Sequence, residues 1–176
     1  PIIIFVVLAI VGFKYIEDND IDIKDYIEET VTAKGTIGDT LSGDDVKITL
    51  TDALIYPRIE GEAFTDTPAE GKEYLVFFFN VENIDDENNF VSIHNFTGYV
   101  DDTLVASKIL INNVDNVQYL SADLTPGKKA RGYVAYEVDT NWKQFDIHYK
   151  ENSFDYNDSM IFTVVNEENN QNNNNA

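Results

Sequence analysis

The sequence predicts an all-β protein, an antiparallel sandwich of seven or eight strands, on three observations. Apolar residues alternate with polar ones at period two in one segment after another between residues 37 and 165. Aromatic and β-branched residues are abundant, with 10 Tyr and 11 Phe against one Met, which suits pleated strands better than helices. Turn residues punctuate these segments at short intervals, and no helical period of comparable strength competes. A closed barrel is the alternative arrangement of the same strands.

Taken in order, Val46, Ile48 and Leu50 alternate with Lys47, Thr49 and Thr51, as in a strand with one face in the core and one in water. Residues 74–83 (YLVFFFNVEN) place Leu75, Phe77, Phe79 and Val81 on one face and Tyr74, Val76 and Phe78 on the other. A strand that is apolar on both faces is expected to be central and covered on both sides. Residues 90–100 read as a further strand. Asp101-Asp102 separates it from residues 103–111 at the spacing of a two-residue hairpin, without the favoured Asp-Gly. Leu124-Thr125-Pro126-Gly127 offers Pro then Gly, as the centre of a type II turn requires. Val134, Tyr136 and Val138 then oppose Tyr133, Ala135 and Glu137, and Phe145, Ile147 and Tyr149 oppose Asp146, His148 and Lys150. Met160 to Val165 supplies the last strand, and no internal repeat is visible.

The flanks differ in kind. Residues 1–13 (PIIIFVVLAIVGF) are uninterrupted apolar sequence that stops at Lys14 and an acidic stretch. They predict an N-terminal apolar helix, a truncated membrane anchor or signal-anchor. A spanning helix needs about 20 apolar residues, so the apolar part of a signal peptide and a buried segment are the alternatives. The expected location is the extracellular face of the cell membrane, held by this single anchor, or the exterior if the segment is cleaved. Residues 14–36 form an acidic linker, part helical where Ile23, Ile27 and Val31 recur at four-residue spacing. Residues 166–176 (NEENNQNNNNA) are low-complexity, contain nothing that can be buried and predict a disordered Asn-rich tail.

Charge and chemistry narrow the function. Asp and Glu outnumber Lys and Arg by 32 to 12, a net charge of -20, so the overall field repels nucleic acid and anionic lipid head groups. The absence of cysteine removes disulfides, zinc-thiolate sites and thiol nucleophiles from these residues. Asp18, Asp20, Asp22 and Glu29 match ligand positions of a calcium loop, but Ile23 stands where the sharp turn needs glycine, so a solvated linker is the preferred reading. The loop carboxylates Asp85, Asp86, Glu87, Asp101 and Asp102, with Asp155 and Asp158, are candidate calcium ligands if the loops meet at one end of the sandwich. A solvated acidic surface is their commoner role. His94 and His148 are the only histidines, and His148 falls on the water-facing side of its strand. No serine sits in a Gly-x-Ser-x-Gly elbow, and two histidines do not by themselves make a three-residue zinc site. No catalytic residue or cofactor is therefore expected. Trp142, Tyr133, Tyr99 and Tyr119 are candidates for an exposed aromatic platform that takes sugar or peptide, with core packing as the alternative.

Three blocks carry a resemblance. Ile37-Gly38-Asp39-Thr40 precedes Val46-Lys47-Ile48-Thr49-Leu50; Glu70-Gly71-Lys72-Glu73-Tyr74-Leu75-Val76 runs on to Val81-Glu82-Asn83; and Leu124-Thr125-Pro126-Gly127-Lys128 precedes Gly132 and Tyr136-Glu137-Val138. Over residues 36–165 the chain resembles domain-of-unknown-function family 4352, exported lipoproteins or membrane-anchored proteins with an immunoglobulin-like sandwich. It departs from that pattern at Asp102, where the family usually has Gly, and lacks the lipid-carrying cysteine. The resemblance implies an extracytoplasmic binding or structural module and is silent on activity. The expected partner is another protein or a cell-envelope component. A calcium-dependent adhesion domain, a self-associating envelope-assembly subunit and a hydrolase are the alternatives.

Overall fold

The computed structural model describes residues 32–151, 159–167 and 169. The apolar run, the calcium-like spacing of Asp18, Asp20, Asp22 and Glu29, and Asp155 and Asp158 lie outside the described residues. The chain divides into units Pro1–Val31 and Thr32–Ala176, and the described residues belong to the second.

In chain order, β1 (Ala33–Gly35) and β2 (Thr40–Ser42) precede the long β3 (Val46–Tyr56), and a small pair, β4 (Ile59–Glu60) and β5 (Thr65–Asp66), leads into β6 (Lys72–Asn83). Next come β7 (Asn89–Ser92), a 3-10 turn at Ile93–Asn95, β8 (Phe96–Val100), β9 (Thr103–Val105) and β10 (Ser107–Lys108). The last strands are β11 (Ser121–Leu124), β12 (Lys129–Asp139), β13 (Gln144–Tyr149) and β14 (Met160–Val165). These 14 segments exceed the seven or eight expected because many are only two or three residues long, too short for alternation to register. β1 also lies inside the span read as linker.

Two five-stranded sheets result, the first ordered β1-β14-β13-β8-β9 and the second β10-β12-β6-β3-β2. They face each other as a β-sandwich. Within them all pairs are antiparallel except β1 with β14. The core between the sheets is aromatic: Phe79 stacks on Phe96 at 4.8 Å and Phe77 lies 4.8 Å from Phe145, with Leu75, Val81, Tyr136, Ile147, Tyr149 and Phe162 around them. Gly98 on β8 makes room for this packing, since a Cβ there would stand 2.5 Å from the Tyr136 ring and 2.6 Å from Phe145. The Tyr136 hydroxyl is buried and has no hydrogen-bond partner among the described residues, and burial pushes its pKa up.

β6 is central, between β12 and β3, and covered on both faces. Leu75, Phe77, Phe79 and Val81 enter the main core, while Tyr74, Val76 and Phe78 enter a second, smaller one with Ile59, Leu110, Val114, Tyr133 and Ala135. Residues 109–117 and the β4–β5 hairpin thus cover part of the second sheet's outer face. Asp66 fastens that cover, its buried carboxylate accepting from Ile111 N at 3.0 Å, Asn112 N at 2.9 Å and Asn112 Nδ2 at 2.8 Å.

Two segments expected to be single strands are divided. Residues 90–100 break at the 3-10 turn, so that β7 pairs with β11 while β8 pairs with β13. Buried Asn95 makes this corner: its Oδ1 accepts from Ser92 N at 3.0 Å and its Nδ2 donates to Lys150 O at 3.0 Å. Residues 103–111 cross from the first sheet, through β9, to the second, through β10. The β8–β9 hairpin exists as expected, with Asp101 at φ 44° and Asp102 at φ 66°, the paired positive angles of a type I′ turn.

The three resemblance blocks share one device. Gly38, Gly71 and Gly127 have φ of 92°, 78° and 70°, and each is the third residue of a turn closed by Asp39 N to Thr36 O, Lys72 N to Ala69 O or Lys128 N to Thr125 O. Positive φ at that position defines the type II turn and favours glycine. Asn83 ends the second block because it is buried, donating to Glu87 O at 2.7 Å and Leu124 O at 2.8 Å and accepting from Asp85 N at 3.0 Å. At the other end of the chain, Asn166 N donates to Lys143 O at 2.8 Å, and Asn169 Nδ2 donates to Thr140 O and Trp142 O at 2.9 Å each. The start of the expected disordered tail is therefore docked on the β12–β13 turn, because the asparagine amide satisfies turn carbonyls.

Candidate functional site

The outward positions of the second sheet change character along each strand. On β6 they read Tyr74, Val76, Phe78, then Asn80 and Glu82; on β12 they read Lys129 and Arg131, then Tyr133 and Ala135. The strands are antiparallel, and the register pairs like with like: Val76 with Ala135, Phe78 with Tyr133, Asn80 with Arg131, Glu82 with Lys129. β3 extends the polar part with Thr49 opposite Asn80 and Lys47 opposite Glu82, and β2 adds Thr40 opposite Thr49. The cover seals the apolar part, and the polar part is left as a trough of about 490 Å³ lined by Thr40, Lys47, Thr49, Asn80, Glu82, Lys129 and Arg131.

Three of the chain's 12 basic residues line this one place in a protein of net charge -20. Lys129 pairs with Glu82 at 3.1 Å, and the Thr40 and Thr49 hydroxyls share a bond of 2.7 Å. Among the described residues Lys47 and Arg131 make no ion pair and the Asn80 amide makes no hydrogen bond; the Arg131 guanidinium lies 6.0 Å from the Phe78 ring centroid, where the polar part meets the apolar one. The trough therefore offers uncommitted cationic and amide donors on a rigid floor of paired strands. An exposed ion pair such as Lys129–Glu82 contributes about 0–1 kcal/mol, so it yields readily to a ligand.

The residues singled out from sequence are distributed otherwise. Tyr133 and Trp142 are core residues: Tyr133 packs on Phe78 and donates to Asn112 O at 3.2 Å, and Trp142 Nε1 donates to Glu73 Oε1 at 3.0 Å. Burial, with Asp66 nearby, pushes the Tyr133 phenol up to about 12. Tyr99 lies on the outer face of the first sheet, 4.7 Å from the His148 ring, whereas exposed Tyr119 borders β12 of the second. The four aromatics thus form no platform, because two fill the core and two lie on different layers. His148 faces outward as expected, and exposed His94 sits on the 3-10 turn with its backbone N–H donating to Ser92 Oγ at 3.3 Å.

The carboxylate loops are likewise separated. Asp101 and Asp102 follow Val100, paired with Phe145 at one end of the sandwich, while Asp85, Asp86 and Glu87 follow Asn83 beyond Phe79 and Phe96 at the other. Asp101 Oδ1 accepts from Gln144 N at 2.9 Å, a structural use. Near the Asn83 end, Glu151 Oε1 accepts from Asp45 N at 3.0 Å; burial and then neighbouring carboxylates raise the pKa of Asp45, and burial foremost raises that of Glu151. Among the described residues no three acidic or histidine side chains are grouped so as to hold a metal ion. No helix of the described residues is long and apolar enough to cross a membrane.

Comparison with known proteins places this arrangement. The chain belongs to DUF4352, a domain of unknown function, whose family model matches residues 35–171. Among solved structures it is similar to the lipoprotein candidate YcdA of Bacillus subtilis, at 15% identity and TM-score 0.58, over 77% of this chain and 41% of that one. It therefore spans less than half the length of that protein. It is also similar to a lipoprotein candidate of Staphylococcus aureus (16% identity, TM-score 0.52, 74% of this chain and 90% of that one). A third is the secreted protein MPT63 of Mycobacterium tuberculosis (13% identity, TM-score 0.51, 76% of this chain and 98% of that one). At these identities the likeness is one of fold. No curated protein matches the sequence.

The trough escaped the sequence reading because its residues lie on four strands. Taken singly, Lys47, Asn80 and Arg131 look like any solvated strand face. The available signal was the reversed order of polarity on β6 and β12, which an antiparallel pairing brings into one patch.

Proposed function

We propose that this chain is an extracytoplasmic, non-catalytic binding module whose ligand seats in the trough on the second sheet. The observation that carries the reading is the concentration of Lys47, Lys129, Arg131 and Asn80 in one open concavity of an otherwise acidic protein. Similarity to lipoprotein candidates and a secreted protein supports a place in the cell envelope, as does the apolar run at residues 1–13. The strand order supports an immunoglobulin-like arrangement: β3-β6-β12-β10 opposite β14-β13-β8-β9 corresponds to strands ABED and GFCC′ of such domains.

Co-sedimentation of the full chain, kept in mild detergent, with Bacillus subtilis envelopes stripped of membrane lipid tests the reading, because the apolar run at residues 1–13 then has no bilayer to enter. Wild type is expected to be retained, and Asn80→Trp, which fills the trough from an exposed strand position, is expected to stay in the supernatant with an unchanged melting profile. Equal retention of both, or retention of neither, would sink the proposal.

A further inference from the structure

Resting on that reading, we infer that the trough takes a short anionic, hydroxyl-rich segment of a polymer, with negative groups carried as uronate carboxylates or as phosphodiesters between polyols. Three features select this chemistry. The cations are spread out: Lys47 and Lys129 stand on strands separated by β6, hence about 10 Å apart, and Arg131 lies two residues along β12, about 7 Å from Lys129. A single small anion spans one of these positions, whereas a chain with repeated charges meets two or three. The floor between the cations is hydroxyl and amide, from Thr40, Thr49 and Asn80, which suits a ligand carrying many hydroxyls.

The same floor disfavours the other polyanions. The central strands β3 and β6 use their backbone groups in the sheet ladder, so an acidic peptide lying across the floor meets side chains, and main-chain partners stand only at the borders, on the edge strand β2 and the outer side of β12. Among the described residues no aromatic side chain lines the trough for base stacking, which a single-stranded nucleic acid would use. The net charge of -20 limits contact with an anionic polymer to a short segment, because only the trough attracts while the remainder of the surface repels.

Isothermal titration of the full chain at fixed ionic strength tests this, with four probes: trigalacturonate, a glycerol-phosphate trimer, neutral maltotriose and triglutamate. Binding of trigalacturonate assigns the carboxylate source and binding of the glycerol-phosphate trimer the phosphodiester source. Either is expected to exceed maltotriose and triglutamate by at least tenfold. Lys47→Glu and Arg131→Glu should each weaken it at least tenfold, whereas Lys34→Glu, an equal change in net charge on β1 of the other sheet, should leave it within twofold. Preference for triglutamate or maltotriose overturns the ligand class, as does equal weakening by Lys34→Glu. If neither anionic trimer binds while trough-dependent retention on envelopes persists, the ligand class falls and the site stands.

Discussion

The two halves of the second sheet's outer face share strands, pleat and register, yet one is a core and the other a surface. Where Tyr74, Val76, Phe78, Tyr133 and Ala135 point outward, residues 109–117 fold down over them; where Asn80, Glu82, Lys129 and Arg131 point outward, the described chain leaves them open. The boundary runs between Phe78 and Asn80 on β6 and between Tyr133 and Arg131 on β12, positions that the register sets side by side. An outward strand position is therefore not one environment. Two residues along the same strand decide whether a substitution tests stability or binding.

The largest expected effect breaks the covered half. Phe78→Ala should cost about 3–5 kcal/mol, a transfer loss plus a cavity, whereas Asn80→Ala should change stability by no more than about 0.5 kcal/mol. Denaturant unfolding of the two variants checks the contrast. Next, Asp66→Ala should destabilise by about 1–3 kcal/mol, because it leaves the Ile111 and Asn112 amides without their acceptor. Hydrogen exchange should then accelerate in residues 109–117 before it changes at Asn80.

A smaller effect concerns pH. Glu151 and Asp45 have pKa values raised on folding, so the folded chain binds protons more readily than the unfolded one. Their favourable contribution is complete below the ordinary carboxylate value and is lost as pH rises through the raised one. Glu137 has the opposite sign: its hydrogen bond from Lys108 at 2.9 Å lowers its pKa, so its contribution fades as pH falls. Glu151→Gln keeps an acceptor for Asp45 N, and it should shrink the rise in melting temperature expected of the wild type between pH 7 and pH 4.5, the ordinary glutamate value. Thermal melts at the two pH values read this directly; an unchanged rise would contradict the assignment. The smallest effect is at the hairpin. Asp102→Gly should stabilise by about 0.5–1 kcal/mol by relieving a positive φ, while Asp101→Gly should gain nothing, since it loses the acceptor for Gln144 N.

What the sequence disclosed was the part governed by local period and turn chemistry. The alternation along β3, β12 and β13, the two apolar faces of β6, the Pro126-Gly127 turn and the Asp101-Asp102 hairpin all stand where the residues place them. Three things were hidden for physical reasons. β3 runs on to Tyr56 past a bulge at Thr51, which shifts the register between Leu50 and Asp52 and breaks the alternation that would have extended the strand. The sheet changes at Asn95 and Ala106 leave no mark on period. The cover over Phe78 is irregular chain whose apolar residues, Leu110 and Val114, follow neither strand nor helix spacing. The candidate site depends on the last of these, since it is the part of one face that the cover does not reach.

Solvent paramagnetic relaxation with a neutral gadolinium chelate, read on side-chain resonances of the full chain, tests the division of this face most directly. The Asn80 amide and the Lys47, Lys129 and Arg131 side chains should relax strongly while Val76, Phe78 and Tyr133 remain shielded. Similar relaxation on both sides of the Phe78–Asn80 boundary, or shielding of Asn80 and Arg131, would contradict a sheet face that is sealed in one half and open in the other.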